Sequence, residues 1–259
     1  MNVSEGERKM KDLIQWPRAK YWTAQWNPVI GCRPASPACA NCYAAAWARR
    51  FGQSFDPHQT KQRTPRRGVV FCGNMTDLFG EWRTCGESAA DIGAARVAGK
   101  GADYLWLTKR VRRMAAALGY ESRDEEFPDV AYANHWFGFT AEDRARYNER
   151  MEDARRTLPK WARLWISAEP LLGPIDMGFR ETRFLPDLVV VGCESGPNRR
   201  PCKVGWIESI VDQCLAAHIP VFVKQISLCG KCVADINQFP AHLRIRQVPW
   251  AGRHEEAAE

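Results

Sequence analysis

Seven short runs of aliphatic, β-branched and aromatic residues alternate with helix-forming stretches along this chain, and that alternation leaves few folds open. The strand candidates are WTAQWNPVIG, GVVFCGNMTDLF, DYLWLTKR, NHWFGFTAED, RLWISAEPLLG, DLVVVGCESG and PVFVKQ. Between them lie AAAWARRF, SAADIGAARVAG, VRRMAAALG, ARYNERMEDARRTLP and GWIESIVDQCLAAH. Parallel neighbours need a crossover of a dozen or more residues, usually a helix, so the pattern predicts an α/β fold with a mainly parallel sheet covered by helices. Seven strands with crossover helices approach a (β/α) barrel, partial or open at one side. With 259 residues and 45% hydrophobic content the chain can bury one large core. Either one barrel-sized domain or two small ones would fit that length; we expect a single domain over residues 1–259, with a barrel core over residues 22–227 and a C-terminal extension over residues 228–259.

The C-terminal ends of barrel strands carry the active site in enzymes of this architecture, so the polar residues there are the first candidates. Strand two ends in Asn74, Thr76 and Asp77, and strand three in Thr108, Lys109 and Arg110. Strand four ends in Thr140, Glu142 and Asp143, strand five in Ser167 and Glu169, strand six in Glu194 and Ser195, and strand seven in Lys224 and Gln225. One polar residue at a strand end is ordinarily a turn former or a helix cap. Their recurrence over six strands predicts a polar pocket above an apolar floor.

Three cysteines, Cys32, Cys39 and Cys42, fall within eleven residues in GCRPASPACANCYA, on the loop after strand one. Thiolates grouped so closely suit a soft metal; the sequence leaves open an iron–sulfur cluster, a zinc ion and a purely structural role. Three ligands are one short of a closed zinc site, and in a cubane cluster they would leave one iron open to a small chelating ligand. Pro28, Gly31, Pro34 and Pro37 mark a built loop, and a helix is predicted directly after Tyr43, its N-terminus favourable to thiolate charge.

No run of about eighteen apolar residues is present, and the charged start MNVSEGERKMKD has no apolar stretch of the secretory kind, so we expect a cytoplasmic protein without membrane association. Ten cysteines in a chain this long fall well short of a disulfide scaffold. A net charge of +7 points to an anionic partner. The clusters Lys61, Arg63, Arg66, Arg67 and Lys109, Arg110, Arg112, Arg113 are candidates for phosphate contacts, against the plainer reading of solvated faces. Most of the eleven tryptophans should be core, with stacking on bases as the other role.

The segments WNPVIGC, CANCYA, NMTDLF, LTKR, FTAEDR, SAEPLLGPID, VVGCESGPNRRP and VFVKQ resemble, in order, the motif train of the phage-associated three-Cys-motif family, a divergent radical SAM-like branch. The resemblance spans roughly residues 22–227. It implies a [4Fe-4S] cluster on Cys32, Cys39 and Cys42, S-adenosylmethionine (SAM) at the open iron, an external electron donor, and reductive cleavage releasing a 5′-deoxyadenosyl radical. It also implies a companion, a three-Cys-motif partner protein. Under that reading Asn74 or Asp77 meets the SAM amino group, Lys109 or Arg110 its carboxylate, and Glu142 or Glu169 the ribose hydroxyls, with Thr108, Glu194, Ser195 and Lys224 lining the same pocket.

The chain departs from the usual radical SAM pattern. The first cysteine gap is six residues rather than three, Asn41 stands where an aromatic precedes the last cysteine, and CGNMTDLF replaces the glycine-glycine-glutamate segment after strand two. Cys229 and Cys232 in LCGKC are expected in a loop after strand seven, as ligands of a second metal with Cys202 or Cys193, as a redox pair, or as incidental residues. Cys72, Cys85 and Cys214 read as packing residues. Two functions remain: a radical SAM-like enzyme acting on a nucleic acid or nucleotide-like substrate, and a non-enzymatic zinc-containing nucleic-acid-binding protein. The carboxylates at Asp77, Glu142, Glu169 and Glu194 favour the enzyme, because they would repel phosphate.

Overall fold

The computed structural model describes residues 15–119, 132–179, 182, 184–196, 198–250 and 254; the charged stretch MNVSEGERKMKD lies outside them. The chain packs into two compact units, the first made of residues 22–140 and 148–163 and the second of residues 1–21, 141–147 and 164–259.

In the first unit the strand expected over residues 22–31 is divided. β1 (Ala24–Trp26) ends at Asn27 and Pro28, and β2 (Val29–Ile30) follows. Two things divide it: the Asn27 N–H is taken by the side chain of the sequence-distant Gln62 at 2.8 Å, and proline has no N–H to give a ladder. After α1 (Tyr43–Arg50), the strand β3 (His58–Gln59) returns antiparallel on β2. β4 (Gly68–Cys72), α2 (Cys85–Ala98), β5 (Ala102–Thr108), α3 (Val111–Ala117) and β6 (His135–Thr140) complete two strand–helix–strand crossovers. The sheet order is β1-β4-β5-β6, with parallel neighbours. Every residue of β4 and β6 is buried, as befits parallel strands covered on both faces. Helix α2 starts three residues ahead of the SAADIG run because Thr84 and Glu87 form a capping box, with Glu87 N–H donating to Thr84 Oγ1 and Thr84 N–H to Glu87 Oε2.

The core of this unit is aromatic. Trp106 lies edge-on to Trp26 and Phe79, stacks on His135, and donates its indole N–H to His135 Nδ1 at 3.1 Å. That bond assigns the neutral imidazole its proton on Nε2. Burial pushes the His135 pKa down to about 4.

The helix α4 (Arg144–Thr157) precedes the strands of the second unit, β7 (Arg163–Ala168), β8 (Leu188–Gly192), and, beyond α5 (Val204–Ala216), β9 (Val221–Leu228) and β10 (Lys231–Val233). β7, β8 and β9 are parallel, and α5 packs on β8 and β9 with Ile207, Ile210, Val211 and Cys214 buried. The loop expected at LCGKC is corrected. β9 runs on through Leu228, Cys229 and Gly230 take positive φ of 46° and 73°, and β10 returns antiparallel with Cys232 opposite Ser227. Two left-handed residues make the turn whose twist suits a hairpin, but Cys-Gly lacks the Asn-Gly signature that would announce it. Farther along, Val223 N–H donates to Ile245 and Gln247 N–H to Val221, so the C-terminal segment covers the rest of the β9 edge. Among the described residues no helix is long and apolar enough to cross a membrane.

Candidate functional site

The cysteine loop is fastened at both ends and in the middle by the very strand-end residues singled out from the sequence in this unit. Gly31 enters it at φ +95°, and a Cβ there would stand 2.4 Å from the Asp56 carbonyl oxygen, so only glycine fits. Its N–H donates to Met75 O and its carbonyl accepts from Thr76 Oγ1 at 2.5 Å, while Cys32 N–H donates to Phe55 O. The Arg33 carbonyl accepts from Arg110 Nη2 at 3.3 Å, and Ser36 Oγ accepts from Lys109 Nζ at 3.3 Å. A short 3₁₀ turn, Pro37–Asn41, carries Cys39, and Cys42 is the residue ahead of α1. At the far end the Tyr43 hydroxyl donates to the Asn74 carbonyl.

Asp77 organises this arrangement. Its Oδ1 accepts from Phe79 N–H and from Thr108 Oγ1 at 2.8 Å, and its Oδ2 from Lys109 N–H and Arg110 Nη1 at 3.0 Å. Arg110 also pairs with Glu81 at 2.7 Å and lies over the Trp82 ring. The Asn74 side chain accepts from Asn27 Nδ2 at 2.8 Å. Asn74, Asp77, Thr108, Lys109 and Arg110 are thus brought together around the cysteine loop, each bonded to it or to one another.

The thiols sit in different fields. Burial, then the Asp77 carboxylate, pushes the Cys32 pKa up to about 12, although the Asp77 N–H and Arg110 work the other way. For Cys39 burial is outweighed by the Ala35 N–H, Lys109 and Ser36, which hold its thiol below the ordinary range. All ten cysteines are free thiols. Among the described residues no group of three or more His, Cys, Asp or Glu side chains is arranged as it stands to hold a metal ion.

The second unit carries Glu142, Glu169, Glu194, Ser195 and Lys224. Lys224 Nζ lies 2.9 Å from Glu169 Oε1, and Ser167 Oγ donates to Glu169 Oε2 at 3.4 Å. Gly192 makes room for this pair, since a Cβ there would stand 2.9 Å from Glu169 Oε1. Glu194 is buried and clasped by Arg200 through its backbone N–H at 2.8 Å and its guanidinium. Ser195 is exposed, and Glu142 is buried, its carbonyl accepting from Leu172 N–H. The Cys193 and Cys232 sulfurs are 3.7 Å apart. Burial first, then the neighbouring Cys232, raises the Cys193 pKa, and burial raises that of Cys202 to about 11.

Compared with known proteins, residues 16–239 match the family model described as "Protein of unknown function (DUF5131)". The chain belongs to that family. No curated protein and no solved structure matches it.

Two features of this DUF5131 chain were not legible as site features in its sequence. The two basic clusters behave differently: Arg110, Arg112 and Arg113 are engaged by Asp77 and Glu81, by Asp153, and by the carbonyls of Phe79, Gly80 and Arg83, although Arg112 is itself exposed, whereas Lys61, Arg63, Arg66 and Arg67 are exposed and, among the described residues, in no ion pair. A count of charges cannot distinguish these cases. The second is an aromatic face on α1, directly after Cys42. Its alanines Ala44 and Ala48 are buried while Tyr43 and Trp47, with Phe51 just past its end, are exposed. Their i, i+4, i+8 spacing was readable, but such a stripe ordinarily marks a buried face.

Proposed function

We propose that the protein is a radical SAM-like iron–sulfur enzyme whose strands form a partial (β/α) barrel of the TIM type, and whose substrate is a nucleic acid or nucleotide-like molecule. The observation that carries the reading is the cysteine loop. Three free, partly accessible thiols on one glycine-hinged loop are held by a dedicated set of strand-end residues, with Cys42 at the start of a helix. That donor set fits a thiolate-ligated cluster, and Cys32, Cys39 and Cys42 are the residues that would hold it. When bound, such a cluster supplies an electron to the sulfonium of SAM.

In this reading the protein's own residues position and protect. Asp77, Thr108 and Arg110 hold the loop in register through the Arg33 carbonyl, and Lys109 favours the charged form of Cys39. Asn74, Glu142, Glu169, Glu194, Ser195 and Lys224 are the remaining candidates for the polar groups of SAM. An external electron donor, a three-Cys-motif partner protein, a cytoplasmic setting and a phage origin belong to the same proposal.

The test is iron and acid-labile sulfide analysis of anaerobically reconstituted protein, with electron paramagnetic resonance of the reduced sample with and without SAM. We expect about four irons per chain and a signal that SAM alters. Cys32→Ala, Cys39→Ala and Cys42→Ala should each abolish it and Cys229→Ala should not, while Glu169→Gln should weaken SAM binding and leave the iron in place. Stoichiometric zinc and no cluster on reconstitution would instead support the zinc-containing nucleic-acid-binding protein.

A further inference from the structure

The aromatic face of α1 runs against the usual rule of burial. Trp47 is the one exposed residue among the eleven tryptophans, at 46% accessibility, and Tyr43 and Phe51 flank it at 55% and 56%. Among the described residues only two other large apolar side chains, Val97 and Leu185, are exposed. The three rings stand one helical turn apart, about 6 Å per four residues, and Trp47 and Phe51 are in contact with centroids 4.8 Å apart. A helix that buries alanine and exposes tryptophan presents those rings to something.

The charge around it says what. From Gly31 to Thr76 the chain has seven basic residues, Arg33, Arg49, Arg50, Lys61, Arg63, Arg66 and Arg67, against one acid, Asp56, so this stretch holds +6 of the net +7. All seven are exposed, and among the described residues none is in an ion pair, unlike the spent arginines after β5. Arg49 and Arg50 lie in the last turn of α1, Arg50 over the Phe51 ring at 5.9 Å. Segment 60–62 is tied back to the entry of the cysteine loop by Thr60 N–H to Pro28 O, Thr60 Oγ1 to Asn27 O and Asn27 N–H to the Gln62 side chain, which brings Lys61 to that rim.

Exposed rings interleaved with unpaired guanidinium groups match one ligand chemistry, bases with free π-faces on an anionic backbone. In a duplex both faces of each base are already stacked, so the fit is to a single strand. We infer that α1 and the basic stretch around it form a single-stranded nucleic-acid-binding face, with bases on Tyr43, Trp47 and Phe51 and phosphates on Arg49, Arg50 and Lys61. The claim that the bound strand is also the substrate rests on the enzyme reading above; the binding itself does not.

The test is fluorescence anisotropy of a labelled single strand of about twelve nucleotides, a length within the usual ~4–16-nucleotide footprint, titrated with the full chain at several salt concentrations, before and after cluster reconstitution. We expect binding that weakens with salt. Trp47→Ala should cost roughly tenfold or more in Kd, and Trp47→Phe should recover most of it. Arg49→Ala with Arg50→Ala should reduce the slope of log K against log salt by about 1.4, at ~0.7 per phosphate contact. Removing the same charge elsewhere, by Arg155→Ala with Arg156→Ala, should leave the slope within error. Failure of the wild type to bind, as for a face that instead receives a protein partner, overturns the inference. So does equal binding by wild type and Trp47→Ala, or equal affinity for the matching duplex. Strand binding by protein that takes up no iron would retain the face and remove the enzyme; iron uptake without strand binding would do the reverse.

Discussion

Asp77 and Glu169 both lie in the segment that follows a parallel strand, Asp77 beyond the turn after β4 and Glu169 directly after β7, and each is opposite a cation, but the two units use them differently. In the first unit Asp77 accepts four hydrogen bonds, and its partners Lys109 and Arg110 in turn bond the cysteine loop. In the second unit Glu169 faces Lys224 and Ser167, across a gap kept open by a glycine, and the lysine side chain retains 24% of its accessibility. A strand-end carboxylate with every lone pair taken is a fastening, whereas one that shares a single ammonium keeps acceptor capacity for a ligand. The comparison teaches that strand-end position alone does not separate positioning residues from binding residues; saturation of their hydrogen bonds does.

The largest effect should come from breaking the fastening. Asp77→Ala leaves Arg110, whose side chain is 8% exposed, without one of its two acids and frees the Phe79 and Lys109 N–H groups, at a cost of about 3 kcal/mol or more in urea unfolding, against about 1 kcal/mol for Glu169→Ala. Equal costs would erase the distinction between the units.

The next effect is acid sensitivity seated in the first unit. His135 is neutral in the fold with its pKa lowered to about 4, while the unfolded chain binds a proton below about 6.5. Its contribution is therefore complete above pH 6.5 and is lost as pH falls from 6.5 to 4, on the order of 3 kcal/mol in all. Urea unfolding at pH 7 and pH 4.5 should show this loss in the wild type and a flatter response in His135→Gln; parallel profiles would remove His135 as the origin.

Smaller still are the two glycines. Gly31→Ala meets backbone at a positive φ and should cost about 2 kcal/mol while loosening the cysteine loop, which faster alkylation of Cys39 would report. Gly192→Ala meets the movable end of Glu169 and should cost less than about 1 kcal/mol, its main effect being displacement of the carboxylate from Lys224. A reversed order of the two glycines would mean that the second unit is the more tightly constrained.

Each of the seven expected strands and five expected helices is present, because apolar runs of strand length and alanine-rich helical stretches are local signals that burial on both sheet faces reinforces. The misreadings turn on a few residues. Asn27 and Pro28 divide one strand, the capping box at Thr84 lengthens a helix, and the turn at Cys229 and Gly230 makes a hairpin of an expected loop. The cysteine loop was legible in outline, since three thiols within eleven residues need no fold to be seen. Its supports were named only one at a time.

By itself the sequence determined the α/β alternation, the parallel strands and the grouping of Cys32, Cys39 and Cys42, all of which follow from short-range periodicity and spacing. Only the tertiary structure decided that Arg110 is bound to Asp77 while Arg49 and Arg50 face solvent, and that α1 turns its alanines inward and its rings outward. The physical reason is that side-chain type and spacing set what a residue can bond to, but which partner lies within about 3 Å, and which face of a helix is covered, depends on segments that meet only when the chain is folded.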